Sequence, residues 1–241
     1  MKKKKSMLIY PFLILGISFF ITSGCSSKDD NVISSNILDA DGNVYHADTI
    51  GTQVWLIENL KTTHYNDNSP ITPVTDPATW IGRTTEAYCW FNNDAGTYKN
   101  TYGALYNWYA VNTGKLCPAG WHVPSDDEWT TLINYLGGPT VAGGKLKESG
   151  TAHWATPNTG ADNSKGFTAL PGGSRYVGTS ILFVPGNFYA NGSYGFWWSS
   201  TENTSSLTNA WHQYITSGSG AIVRQTGSKG LGFSVRCIKN K

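Results

Sequence analysis

The sequence predicts a loop-rich domain of short β-strands and a capped helix, its long turns pinned by buried aromatic rings. Three observations lead there. The 241 residues include 27 glycines, 10 tryptophans and 13 tyrosines, while charged residues make up only 14%. So much glycine beside so much tryptophan suggests long turns held in place by large rings. Short β-branched and aromatic runs recur between Asn-Gly, Asp-Gly and Ser-Gly pairs, which form turns. Finally, Ser125-Asp126-Asp127-Glu128 opens an apolar pattern at helical spacing.

The elements follow in chain order. Asp39-Ala40-Asp41-Gly42-Asn43 looks like half of a calcium loop. Counted from Asp39, however, glycine is fourth rather than sixth, and position twelve is Ile50 rather than glutamate. A tight turn fits better, because Asp-Gly supplies the positive φ that hairpin turns need. Residues 44–47 and 53–57 are apolar and β-branched, divided by Gly51, and predict a β-hairpin. Residues 62–85, rich in Asn, Asp, Pro and Thr, predict a long loop tied down by Trp80. Residues 87–91 predict a buried strand and 92–96 a turn. Residues 102–111 carry apolar side chains at 102, 105, 106 and 109, a helical spacing, yet their four aromatics suit a strand equally well.

The most polar stretch is Cys117 to Trp129, CPAGWHVPSDDEW. Trp121 and Val123 alternate with His122 as a short strand, with His122 facing away from the side that buries Trp121, and Pro124 stops it. Ser125 followed by Glu128 is a capping box, and apolar residues at 129, 132, 133 and 136 run at helical spacing to Gly137-Gly138. Asp126, Asp127 and Glu128 then complement the helix dipole in the first turn. This corner is scaffolding. Residues 143–169 predict mostly loop, anchored by Leu146 and Trp154. Strands follow at 175–177, 188–189, 194–200, 210–215 and 222–224. In the last, 232–238, Phe233, Val235 and Cys237 alternate with Ser234 and Arg236, predicting one buried face and one polar face.

Upstream of this domain, residues 2–5 are lysines, 7–21 form an apolar run shorter than a membrane span, and Thr22-Ser23-Gly24 precede Cys25. Residues 1–24 therefore read as a secretory signal peptide whose end resembles a bacterial lipobox, which makes Cys25 the lipidated N-terminus of the mature protein. Cys25-Ser26-Ser27-Lys28-Asp29-Asp30 resembles the export signal that sends Bacteroidetes lipoproteins to the outer face of the outer membrane. Residues 25–35 are expected to be a flexible tether, too polar to fold alone, leaving residues 36–241 as the domain. The membrane is thus one partner, reached through the lipid anchor. Removing the signal takes four of the 18 basic side chains, leaving 14 against 16 acidic, a net charge of −2. No basic cluster remains to neutralise phosphates, which excludes nucleic-acid binding.

Several motifs occur in order: Asp41-Gly42-Asn43-Val44-Tyr45, Gln53-Val54-Trp55, Glu58-Asn59-Leu60, Tyr102-Gly103-Ala104-Leu105-Tyr106-Asn107-Trp108, Cys117-Pro118-Ala119-Gly120-Trp121-His122-Val123-Pro124, Trp197-Trp198-Ser199-Ser200 and Phe233-Ser234-Val235-Arg236-Cys237. Together, over about residues 36–239, they resemble the Fibrobacter succinogenes major paralogous domain. The resemblance implies an α+β fold of the C-type-lectin-like and sulfatase-modifying-factor kind: two helices, a twisted antiparallel sheet and long aromatic-pinned loops. It also implies a disulfide between Cys117 and Cys237, since the ends of that fold meet in one sheet, and leaves Cys89 unassigned. Fold alone does not name an activity. The paired cysteines of a formylglycine-generating enzyme and the Glu-Pro-Asn and Trp-Asn-Asp calcium motifs of sugar-binding lectins have no counterpart here.

Local chemistry is equally sparse. Cys117 and His122 lack an orienting third group. Histidines 46, 64, 122, 153 and 212 show no short metal-site spacing, so no metal or other cofactor is expected. Gly143-Gly144 and Gly172-Gly173 lack the lysine and the βαβ setting of phosphate loops. These readings lead to a non-catalytic adhesion or binding module that recognises glycan or surface-protein ligands. The alternative is a structural envelope lipoprotein without a discrete ligand site, with an enzyme a distant third. The candidate ligand-facing loop runs from Trp198 to Trp211 and includes Glu202, Asn203 and Asn209, where amphipathic rings and amides lie close together.

Overall fold

A computed structural model of the chain describes residues 36–178 and 181–241. The signal peptide, Cys25 and the tether lie outside the described residues. The domain opens on the expected turn. Asp39 Oδ1 accepts from the N–H groups of Asp41 and Asn43 at 3.0 and 2.9 Å, and Gly42 takes a φ of +75°. That turn joins β1 (Ile37–Leu38) to β2 (Val44–Tyr45). The predicted hairpin follows as β3 (Ala47–Ile50) and β4 (Gln53–Leu56), turning at Gly51.

The 62–85 stretch is mostly loop but holds one short helix, α1 (Pro77–Ile81), capped by Asp76 and anchored by buried Trp80. β5 (Tyr88–Cys89) is the predicted buried strand in shortened form. The predicted turn follows as a 3-10 turn over Phe91–Asn93 with positive φ at Asn92 and Asn93, and Asp94 then caps a helix, α2 (Ala95–Tyr102), which the sequence did not predict. The ambiguous segment proves to contain both structures. α2 ends at Gly103, where an added Cβ would lie 2.5 Å from Leu60 O. β6 (Leu105–Tyr106) then pairs with β5, and Asn107 caps a single turn of helix, α3 (Trp108–Val111).

β7 (Trp121–His122) leads into α4 (Asp126–Tyr135), where both halves of the capping box are present. Glu128 N–H donates to Ser125 Oγ at 3.2 Å, and Ser125 N–H donates to Glu128 Oε2 at 2.8 Å. A further helix, α5 (Pro139–Leu146), occupies the start of the predicted 143–169 loop. Its glycines hide the helical pattern, yet packing requires them. A Cβ on Gly143 would lie 2.2 Å from Ala221 O, and one on Gly144 2.2 Å from Gly160 O.

Short β8 (Ser174–Arg175) and β9 (Phe188–Tyr189) pair with each other. The longest strands form an antiparallel meander of β10 (Tyr194–Glu202), β11 (Asn209–Thr216) and β12 (Ile222–Ser228). β13 (Ile238–Lys239) closes a second sheet in the order β3-β4-β13-β7. The architecture is mixed, with mostly antiparallel sheets. Among the described residues five α-helices, two of them about one turn long, stand where the resemblance implied two. Among the described residues no helix is long and apolar enough to cross a membrane.

The 232–238 segment corrects a second expectation. Phe233, Val235 and Cys237 are buried as predicted, but so are Ser234 and Arg236. The segment bridges to Tyr106 and to Trp197 along its edges, while Phe233, Val235 and Cys237 pack into one core cluster and Arg236 lies over the Phe167 ring on the other face. Arg236 is accommodated by donating to Phe167 O at 2.7 Å, Thr168 O at 2.9 Å and Leu56 O at 3.2 Å. Lys147 is buried in the same manner, its Nζ 2.9–3.0 Å from the carbonyls of Thr159, Thr216 and Ser219. Buried cations persist when every donor finds such a partner. Cys117 and Cys237 form a disulfide, with Cα atoms 6.0 Å apart, and Cys89 is a buried free thiol. Strand alternation sends adjacent Trp197 and Trp198 to opposite sides of β10. Trp197 joins a core with Trp55, Trp129 and Trp154, while Trp198 joins one with Tyr106, Trp108 and Phe233.

Candidate functional site

The loop singled out in the sequence is occupied with its own contacts. Trp198 is the correction: it is 0% exposed and its Nε1 donates to Tyr106 O at 2.8 Å, so no ligand reaches its ring. Glu202 accepts from Lys229 Nζ. Asn203 Oδ1 accepts from Ser205 N–H at 3.0 Å, and Asn209 Oδ1 accepts from Thr208 Oγ1 at 3.4 Å, both within the turn. Trp211 is partly exposed, but the Arg224 guanidinium lies 3.3 Å from its ring centre. Arg224 Nε in turn donates to both carboxylate oxygens of Asp126 at 2.8 Å. The structure does not gather these five residues around a concavity.

A concavity does exist at the other end of the same strands. Tyr194 and Phe196 on β10 share a face with His212 and Tyr214 on β11, because Phe196 pairs with Tyr214 and Trp198 with His212. Gln225 and Gly227 on β12 continue that face through their pairing with His212 and Ala210. Phe233 lies beneath, stacked on Phe196 with centroids 4.8 Å apart and planes 9° from parallel. The opposing wall comes from Ser174, Tyr176, Phe183, Tyr189 and Ala190. There Phe183 packs 5.3 Å from Tyr176 and 4.7 Å from Tyr189. The enclosed volume is about 540 Å³, within the range of small-molecule sites.

The lining is aromatic and uncharged. Besides the rings it carries Ser174, Gln225 and Thr226 as polar side chains, with no Asp, Glu, Lys or Arg. His212 is the titratable exception apart from the tyrosines. Burial pushes its pKa down to about 4, so the imidazole is neutral at ordinary pH. It is only 4% exposed, yet its Nδ1 has no hydrogen-bond partner. Gly227 makes room for that edge of the ring. A Cβ there would lie 3.1 Å from His212 Cε1 and 3.3 Å from Nδ1. Such a site can stack flat faces and offer a few hydrogen bonds.

The remaining histidines each meet one carboxylate: His46 with Glu58 and His64 with Asp41 at 2.6 Å, His153 with Glu148 at 2.9 Å, and His122 with Glu128 at 3.0 Å. Glu128 is thereby part of both the helix cap and a surface pair. Burial alone would raise its pKa, but the Ser125 and His122 hydrogen bonds outweigh this and lower it. Among the described residues, no three His, Cys, Asp or Glu side chains are placed to hold a metal ion.

Sequence reasoning missed the pocket because its lining is gathered from several short elements between residues 174 and 233. The available signal was period-two aromatics, Tyr194-x-Phe196-x-Trp198 and His212-x-Tyr214, on strands whose alternate residues, Gln213 excepted, are also apolar. That pattern marks strands covered on both faces, one of them open at an end.

Residues 49–239 match the family model for the Fibrobacter succinogenes major domain. No curated protein and no solved structure matches the chain.

Proposed function

This chain belongs to the Fibrobacter succinogenes major domain family, and from that premise we propose that it is a non-catalytic binding module of the cell surface. The observation that carries this reading is the uncharged aromatic pocket on the β10-β11-β12 face. Its rings suit recognition, and its one imidazole, neutral and without a partner on Nδ1, does not form a nucleophile–base pair through that atom. The ligands are glycans or surface proteins. In this reading the fold is C-type-lectin-like, with long loops above an antiparallel sheet. Lipid on Cys25 holds the domain at the extracellular side of the outer membrane, as the lipobox-like signal and the Lys28-Asp29-Asp30 sequence suggest.

Purified protein on a glycan and host-protein array, with calcium and with chelator, tests the binding role. Saturable capture is expected, and a blank from folded protein overturns it. Protease added to intact cells should remove the domain, and survival of the intact protein overturns the surface placement.

The second reading, a structural envelope lipoprotein, draws on the tryptophans. Eight of the ten are buried and so serve the core. Exposed recognition surface comes instead from tyrosine and phenylalanine, and the pocket they line supports the binding reading.

A further inference from the structure

We propose that the pocket is a subsite for one neutral hydroxylated ring, a pyranose residue of an uncharged glycan, clamped between Tyr194, Phe196 and Tyr214 on one side and Tyr176 and Tyr189 on the other, with a ring hydroxyl meeting His212 Nδ1 once the imidazole edge turns into the void. This names the ligand class for the binding role proposed above and rests on it.

Three observations converge. The first is shape and surface. Two aromatic walls face a volume of about 540 Å³, and the C–H faces of a sugar ring are apolar while its edge is wet, matching rings that carry a polar tip. The second is charge. With no Asp, Glu, Lys or Arg in the lining, an acidic sugar or a phosphate would be desolvated without a counter-charge, which is costly; a quaternary ammonium ion, which ring faces attract, is the competing occupant that the titration has to rule out. The third is the imidazole. His212 Nδ1 is buried without a partner, and buried polar groups of this kind are normally satisfied. An aliphatic or phenyl ring would leave it unpaired, whereas a sugar hydroxyl can donate to it or accept from it. The ring is held neutral by burial, so it suits an uncharged partner. Gly227 leaves room beside that edge of the imidazole, with Leu231 Cδ1 2.8 Å from the Cβ position, so the side chains there shift before a hydroxyl reaches Nδ1.

The test is calorimetric titration of the full-length protein with cellohexaose, mannohexaose and xylohexaose. Oligogalacturonate, N-acetyl-tyrosine amide and tetramethylammonium serve as charged, aromatic and cationic controls. At least one neutral oligosaccharide should bind saturably, at least tenfold more tightly than every control, and should move the His212 ring nitrogen resonances. Tyr194→Ala, at the exposed rim, and Gly227→Val should each weaken that binding tenfold or more. Tyr194→Ala guards against a folding artefact in the buried variant. Sugar binding unchanged in both variants overturns the subsite. Tighter binding of a control, or no binding by any of the three sugars, overturns the ligand class. In those cases capture of a host protein on the array would still leave the binding role standing, and a blank array would remove it as well.

Discussion

Asn59 Oδ1 accepts from Arg236 Nε at 2.7 Å and from Trp197 Nε1 at 2.9 Å, so one amide oxygen joins three segments of the chain inside the core. Burial lowers the Arg236 pKa to about 9, opposed in part by the charge of Glu58, and the guanidinium is protonated at neutral pH. Asn59→Leu keeps the branched outline, in a bulkier side chain, but leaves a buried cation and an indole N–H without that acceptor. We expect it to cost about 3 kcal/mol or more in urea unfolding. A loss below about 1 kcal/mol would mean the two donors find other acceptors.

The disulfide spans 120 residues. Closing a loop of that size removes much of the unfolded chain's freedom, so Cys117→Ser with Cys237→Ser should lower stability by about 4 kcal/mol. Thiol alkylation adds a second check. Burial pushes the Cys89 thiol up to about 12, so Cys89 should resist iodoacetamide in native protein and react on unfolding. Rapid labelling of the native chain would contradict the burial.

Acid should destabilise the fold through His212. Its folded pKa, about 4, lies below the usual 6.5 because burial disfavours the cation. Between those values the unfolded chain binds a proton that the folded chain does not. The neutral imidazole's contribution is therefore fully present above pH 6.5 and is lost as pH falls from 6.5 through 4, on the order of 3 kcal/mol. Unfolding temperatures recorded across that window should fall steeply, and His212→Phe should flatten the slope. Identical slopes in the two proteins would assign the pH dependence elsewhere.

Gly144→Ala should be costly despite alanine's better helix propensity. The added methyl would lie 2.2 Å from Gly160 O, forcing α5 off the backbone beneath it at about 3 kcal/mol. Gly218→Ala is the control, because nothing lies within 4 Å of its Cβ position, and it should stay within about 1 kcal/mol of the parent. Equal effects in chemical denaturation would refute the close packing.

What the sequence revealed depended on how local the determining physics was. The Asp39 turn, the Gly51 hairpin, the Ser125 cap and the meander strands are fixed by neighbours a few residues apart, and all were legible. The helices α2 and α5 were not. Residues 95–102 bury no side chain fully, and residues 139–146 contain paired glycines, so neither shows an apolar stripe. Arg236 and Lys147 look like surface charges until carbonyls from distant segments surround them. The candidate loop was chosen on residue type for the same reason. Trp198 and Trp211 were conspicuous, but tertiary packing placed one in the core and covered the other with Arg224. The pocket took its lining from several short elements between residues 174 and 233.

β13 enters its sheet between β4 and β7, although those strands precede it by more than a hundred residues. A ribosome or an export channel delivers a chain from its N-terminus, so both neighbours emerge long before the strand that separates them. Until residues 238–239 arrive, β4 has an unpaired edge and the Arg236 donors have not reached their carbonyls. Such non-local closure slows folding. It also keeps the domain incomplete until the whole chain has been delivered, which fits the export proposed above.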